Sequence, residues 1–354
     1  MNILILTGKF GFGHTSAANS IKEKLLLEHP EYNVQVIDFI EYLFPIISKV
    51  IYGTFNFLVN KCCALYNFLN KIGSKNSNAP LKSFIVRKID RLLIDNEIDM
   101  CISVFPVCSQ YISAYKRSRK SKVILNTCVT DVDVHEEWIS DETNLYFVAS
   151  EKTKANLVDK GVDSDKIVIS GIPVKNSFNC EKDIKIKKNI LIMGGGLGLI
   201  PSIDEFLCDL DSNDNFTVNV IVGNNQKMYD KISNKYKNVN VVGFTNEVYK
   251  YMKEADLIVT KAGGVTMFEA IVSETPLFII KPFLKQELGN ALYIEDNNIG
   301  EVVWDKSKSI SNDIIRLIED KEQREKMISN MRNIKMSFEN TSYASFTKRE
   351  EVEL

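Results

Sequence analysis

Hydrophobic and polar positions recur in a fixed order along the 354-residue chain. Short β-branched runs alternate with longer segments patterned as amphipathic helices, the order that builds a parallel sheet with helices on both faces. In the first half the candidate strands are Ile3 to Thr7, Val34 to Asp38, Met100 to Val104, Val123 to Val129 and Leu145 to Ala149. After Gly171-Ile172-Pro173 comes a charged connector, Glu181 to Lys188. The alternation then restarts with Ile190 to Met193, Val218 to Val222, Val239 to Val242, Leu257 to Thr260 and Leu277 to Ile280. Asp313 to Phe338 is helical by pattern. The spacing therefore predicts an α/β protein of two doubly wound, Rossmann-like domains, residues 1–176 and 177–335, with a helix or tail over 336–354. Ligands of such folds bind outside the carboxyl ends of the strands, which places the expected chemistry in an interdomain cleft.

Three glycine turns follow strands and precede helices. The first, Gly8-Lys9-Phe10-Gly11-Phe12-Gly13-His14, has G-x-x-G-x-G spacing rather than the G-x-G-x-x-G of a dinucleotide site, although Asp38 ends the next strand where such a site keeps its ribose acid. A histidine at a helix N-terminus has its cation disfavoured by the dipole, so His14 is either a neutral general base or a cap of its own helix. The second turn, Gly194-Gly195-Gly196-Leu197-Gly198, opens the second domain ahead of Ser202 and Glu205 in capping-box spacing. Its amides can approach a diphosphate, or the glycines can serve tight packing alone, and the Lys-Ser/Thr of a nucleotide-hydrolysing loop is absent. The third, Lys261-Ala262-Gly263-Gly264-Val265-Thr266, precedes a helix expected to carry Glu269 in its first turn, where the carboxylate either accepts bonds from a ribose diol or balances the dipole.

Thr130-Asp131-Val132-Asp133 follows the fourth strand, with His135 and Trp138 close behind. Its D-x-D is the type of pair that binds a divalent ion in some nucleotide-sugar enzymes. Because it lies in the first domain, away from the diphosphate-type glycines, no metal is expected there. Asp131 and His135 remain candidates to orient an acceptor hydroxyl, or simply cap the chain.

Composition changes the picture in two places. The total of 44 basic and 46 acidic side chains gives a net charge of −2, which leaves no bulk footprint for nucleic acid. Seven scattered cysteines without metal-ligand spacing read as reduced thiols. Locally, however, the stretch from Tyr42 to Ile89 has no Asp or Glu while Lys49, Lys61, Lys71, Lys75, Lys82, Arg87 and Lys88 supply seven positive charges. Tyr52, Phe55, Phe57 and Phe68 lie among them. Either these are amphipathic helices resting on an anionic membrane surface, or the aromatics are core and the lysines its solvated face. No run reaches 18 uninterrupted apolar residues, so a spanning helix is not expected.

Taken in order, Phe10-Gly11-Phe12-Gly13-His14 with Ala17-Ala18, Thr130-Asp131 with His135 and Trp138, Gly171-Ile172-Pro173-Val174, Lys261 to Thr266 with Glu269-Ala270, and Lys281-Pro282 with Gln286-Glu287 and Asn290-Ala291 resemble the monogalactosyldiacylglycerol synthase and processive diacylglycerol glucosyltransferase family. The resemblance runs from residue 1 to about 335 and implies the GT-B fold. It also implies inverting transfer of glucose or galactose from a UDP-sugar to diacylglycerol, possible repetition on the product, and no cofactor beyond the donor. By position, Gly194, Gly195, Gly196, Gly263, Gly264 and Thr266 would hold the diphosphate, Glu269 the ribose and the main chain near Phe244 the uracil. Gln286, Glu287 and Asn290 would read the sugar hydroxyls. His14 would be the base, with Asp131 as partner or rival, and Gly11, Gly13, His135 and Trp138 would line the acceptor side. Lys49, Tyr52, Phe55, Phe57, Lys61, Phe68 and Lys71 fall where this family meets the bilayer, on the cytoplasmic face. The segment Lys281 to Gln286 departs from the family in lacking the glycine that commonly precedes the Gln-Glu pair. Three other readings stand beside this one: an N-acetylglucosaminyltransferase on a polyprenyl lipid, a nicotinamide oxidoreductase using Gly11, Gly13 and Asp38, and a non-catalytic UDP-sugar sensor.

Overall fold

The computed structural model describes residues 1–10, 12–61, 83–179, 188–196, 198, 200, 203–280, 282, 285–304, 309–338 and 341–345, with the side chains of 55–61, 285 and 286 excepted. Gly11, Phe68, Lys71 and Ser202 therefore lie outside the described residues, as do the side chains of Phe55, Phe57, Lys61 and Gln286. The chain forms two compact units, Met1–Asn176 together with the segment that begins at Phe338, and Ser177–Ser337.

In the first unit the strands are β1 (Asn2–Thr7), β2 (Asn33–Asp38), β3 (Met100–Ser103), β4 (Ile124–Cys128), β5 (Leu145–Val148) and β6 (Ile167–Ile169). They form one sheet in the order β2-β1-β3-β4-β5-β6, every pair parallel. β1 and β3 to β5 are buried on both faces, and β1 and β5 read as near-continuous apolar runs. Helix Ser83–Ile94 shows how the covering layer is made. Its Ile85, Ile89, Leu92 and Leu93 recur at helical spacing and bury against Leu4, Leu6, Cys101 and Leu125.

In the second unit β7 (Lys188–Met193), β8 (Phe216–Ile221), β9 (Val239–Val242), β10 (Leu257–Thr260), β11 (Leu277–Ile279) and β12 (Gly300–Val302) form a second all-parallel sheet, ordered β12-β11-β10-β7-β8-β9. This is the strand order of a dinucleotide-binding domain, and its order reverses between β7 and β10. The C-terminal helical stretch is two helices, Ile310–Glu319 and Lys321–Met336, divided at Asp320, whose carboxylate accepts from the amide of Gln323. Beyond them Tyr343 packs on Phe147 of β5, and the carbonyl of Ser345 accepts from the buried amide of Asn126 on β4. Among the described residues no helix is long and apolar enough to cross a membrane.

Candidate active site

At the first sheet's reversal, between β1 and β3, the turn after β1 meets the turn after β3. Helix Gly13–Glu28 starts there with no side-chain cap, so His14 does not cap its own helix. Its Nδ1 lies 3.1 Å from the hydroxyl of Thr130, just beyond β4, and its ring meets the edge of Phe105 at 5.1 Å between centroids. Trp138 lies 6.4 Å away. Desolvation in this aromatic setting pushes the imidazole down to about 4, against the opposing pull of a backbone hydrogen bond to Val104. The dominant cause of the neutral ring is thus burial rather than the helix dipole invoked from sequence. His14 is a neutral imidazole at physiological pH, held against a hydroxyl.

The neighbours divide unevenly. Asp131 is half-buried beside Thr130, and His135 stands before a single 3-10 turn, Glu136–Trp138. Trp138 is 2% exposed and packs with Val129, Val134, Tyr146 and Leu157, so it is a core residue that presents part of its ring toward His14. Asp133 is exposed.

Tyr52 and Phe10 extend the aromatic row. Phe10 stacks on Phe105 at 4.8 Å and meets Tyr52 edge-on at 5.0 Å. The Tyr52 hydroxyl donates to both carboxylate oxygens of Asp38, at 2.6 and 2.8 Å, and Asp38 also accepts from the amide of Glu41. Tyr52 is thereby drawn inward, unlike Lys49, which is exposed on the same helix, Ser48–Lys61. The acid that a nicotinamide site would need for ribose is committed to the protein's own chain. Beside Lys49 stand apolar residues that sequence reasoning passed over: Ile46 is 88% exposed, Val50 66% and Ile47 55%.

In the second unit the reversal between β7 and β10 brings two glycine turns together. Gly195 and Gly198 take positive φ, +66° and +62°, and the Gly198 amide closes the turn onto the Gly195 carbonyl at 2.9 Å. This turn also packs on the one after β8. A Cβ on Gly198 would fall 1.9 Å from the Val222 carbonyl oxygen, and one on Gly223 2.4 Å from the Gly196 carbonyl oxygen. Glycine alone permits that approach. Gly198 was read as part of the second glycine turn, whereas Gly223 escaped the sequence reading because its requirement is tertiary.

The turn after β10 leads into helix Gly264–Val272, capped at Gly263, with Thr266 at its third position. Glu269 lies in the second turn of this helix, not the first, and is 9% exposed. There it lies beyond the reach of the helix dipole, which acts only over the first turn. Helix Lys285–Asp296 brings two more of the expected residues in. Asn290 donates its amide to the Ala262 carbonyl at 3.0 Å, and Glu287, 2% exposed, accepts from Lys261 at 2.9 Å. Phe244 follows β9 and is half-exposed. Among the described residues no group of three or more His, Cys, Asp or Glu is placed to hold a metal ion.

Two Rossmann-type parallel sheets, each with its polar side chains and glycine turns at the strand-order reversal, define the class of GT-B proteins. Acinetobacter baumannii MurG shares the fold at a TM-score of 0.61 and 14% identity over 94% of each chain. So does a Neisseria meningitidis UDP-GlcNAc 2-epimerase bound to UDP-GlcNAc, at 0.61 and 16% identity over 96% of this chain and 98% of that one. The architecture alone thus serves more than one chemistry. Sequence decides further. Residues 14–174 match monogalactosyldiacylglycerol (MGDG) synthase, and residues 189–343 match the glycosyltransferase family 28 C-terminal domain. A Staphylococcus aureus processive diacylglycerol beta-glucosyltransferase is 27% identical over 362 residues, 95% of this chain and 89% of the relative. The chain thus joins an MGDG synthase-type first half to a glycosyltransferase family 28 C-terminal domain.

Proposed function

We propose that the protein transfers a hexose from a UDP-sugar to the free hydroxyl of diacylglycerol, with inversion at the anomeric carbon. The observation that carries this reading is that the chain matches a diacylglycerol-type first half and a family 28 second half in order, and each half supplies the groups its share of the reaction needs. Inversion requires a base for the acceptor hydroxyl and stabilisation of the departing UDP. His14, neutral and beside Thr130, is the base, with Asp131 adjacent. The glycine turns after β7 and β10 receive the diphosphate on main-chain amides, so departure of UDP needs no divalent ion. Glu269 binds the ribose, the main chain near Phe244 the uracil, and Gln286, Glu287 and Asn290 the hexose.

The protein works as a peripheral enzyme on an anionic bilayer. Ile46, Ile47 and Val50 enter the lipid headgroup boundary, and Lys49 with the lysines that follow it engages anionic lipid.

The test is transfer of radiolabel from UDP-glucose, UDP-galactose and UDP-N-acetylglucosamine to diacylglycerol in anionic vesicles, with and without chelator. A lipid-soluble product that survives chelation is expected from one of the two hexose donors. Transfer only of N-acetylglucosamine, and only to a polyprenyl lipid, would overturn the acceptor assignment.

A further inference from the structure

Lys261 occupies a position that neither the glycine turns nor the sugar-reading residues explain. It is the first residue beyond β10, at the reversal beside β7, and about a quarter of its side chain stays open to solvent. A Cβ built on Gly195 would lie 3.5 Å from Lys261 Cε, so the lysine stem runs along the turn proposed to take the diphosphate. Its ammonium donates to the Oε1 of Glu287 at 2.9 Å, while Glu287 is 2% exposed. A buried carboxylate paired with this lysine thus stands within one side chain's reach of a turn that must accept a second anion. Without a cation between them, the two negative charges would repel across a poorly hydrated space.

We infer that Lys261 serves both anions, Glu287 in the free protein and the donor diphosphate on binding, and so links phosphate recognition to the reading of the hexose. This inference rests on the donor-site reading given above. As the diphosphate draws on the ammonium, Glu287 is loosened toward the sugar hydroxyls. A donor whose diphosphate is misplaced therefore leaves the hexose-reading carboxylate engaged with lysine. Specificity for the sugar becomes conditional on correct seating of the phosphates.

Calorimetric titration with uridine, UDP and the UDP-hexose the enzyme uses tests this. Lys261→Met should weaken UDP at least tenfold while uridine stays within twofold, and Lys261→Arg should restore most of the loss. Glu287→Gln should bind UDP several-fold more tightly than the unaltered protein, yet gain nothing further from the hexose. If Lys261→Met alone does not fold, the Lys261→Met/Glu287→Gln pair removes both charges, and its UDP affinity should fall below that of Glu287→Gln alone. Equal weakening of uridine and UDP in Lys261→Met would overturn the inference, as would unchanged or weaker UDP binding in Glu287→Gln. Unaltered protein that binds neither uridine nor UDP would instead sink the donor-site reading itself.

Discussion

Replacing Gly198 with alanine tests whether the donor-side turn is held by backbone contact. The added methyl would sit 1.9 Å from the Val222 carbonyl oxygen, 2.7 Å from its carbon and 2.9 Å from Asn225 Cβ, at a φ of +62°. Two of these three atoms belong to backbone, which cannot swing aside as a side-chain tip can. The left-handed conformation costs a non-glycine residue about 1–2 kcal/mol, and forcing the overlap apart adds about 1–3 kcal/mol. The expected loss is therefore roughly 2–5 kcal/mol, taken by the second unit. Gly195→Ala shares the positive φ, but its methyl meets only the flexible Lys261 stem, so the backbone cost stands nearly alone. Gly243→Ala meets nothing within 4 Å and should cost less than about 0.5 kcal/mol. Hydrogen exchange at the amides of β7 and β8, followed by mass spectrometry under native conditions, reads the local opening energy directly. Exchange in Gly198→Ala as slow as in Gly243→Ala would refute the reasoning, because the turns would then not depend on that close approach.

Five further outcomes are expected. His14→Ala and Asp131→Asn should lose transfer and keep UDP binding; full turnover in both would remove the base from this site. Because burial holds the imidazole at about 4, kcat/KM should stay level as pH falls through 6 and decline only below about 5, and an acid limb near 6.5 would show a hydrated ring. The same lowered value stabilises the fold fully above pH 6.5 and is lost as pH falls from there toward 4, an effect of up to about 3 kcal/mol that should vanish from denaturant midpoints in His14→Gln. Neutralising Lys49, Lys61 and Lys71 should weaken sedimentation with anionic vesicles in a salt-dependent way, whereas unchanged binding would remove this stretch from the membrane contact. Tyr343→Ala, at a side chain 3% exposed against Phe147, should destabilise the first unit by about 3 kcal/mol in urea unfolding; a neutral result would mean the C-terminal segment is not part of that core.

Ten strands were legible because each is a short run rich in β-branched and apolar residues, largely buried in all but the edge strands Asn33–Asp38 and Val239–Val242. The two that went unread, Ile167–Ile169 and Gly300–Val302, are three-residue edge strands that exist by pairing with β5 and β11. Three residues carry no periodicity to read. In the site, residue types were legible and partnerships were not. His14 and Asp131 stand out locally, but the atom beside the imidazole belongs to Thr130, 116 positions away. Lys261 and Glu287 both sit in recognisable motifs, yet nothing in either motif states that they form a pair. Tyr52 read as one of a row of surface aromatics until Asp38 and Phe10 drew it inward. Glu269 was misplaced by a turn because a run of small residues does not mark where a helix begins.

The carbonyl of Ser345 completes the hydrogen bonding of an amide on β4, and Tyr343 fills a place on β5. The second unit is therefore an insertion within the first, and this sets an order of events on the ribosome. At translation rates of roughly 5–20 residues per second, the first unit waits on the order of 10–30 s between its own residue 176 and the segment that closes its core. During that interval Asn126 lacks its Ser345 partner and the Phe147 ring lacks its Tyr343 cover. The second unit, contiguous in sequence, can complete its fold first, so the half bearing the glycine turns after β7 and β10 is free to mature before the half bearing His14.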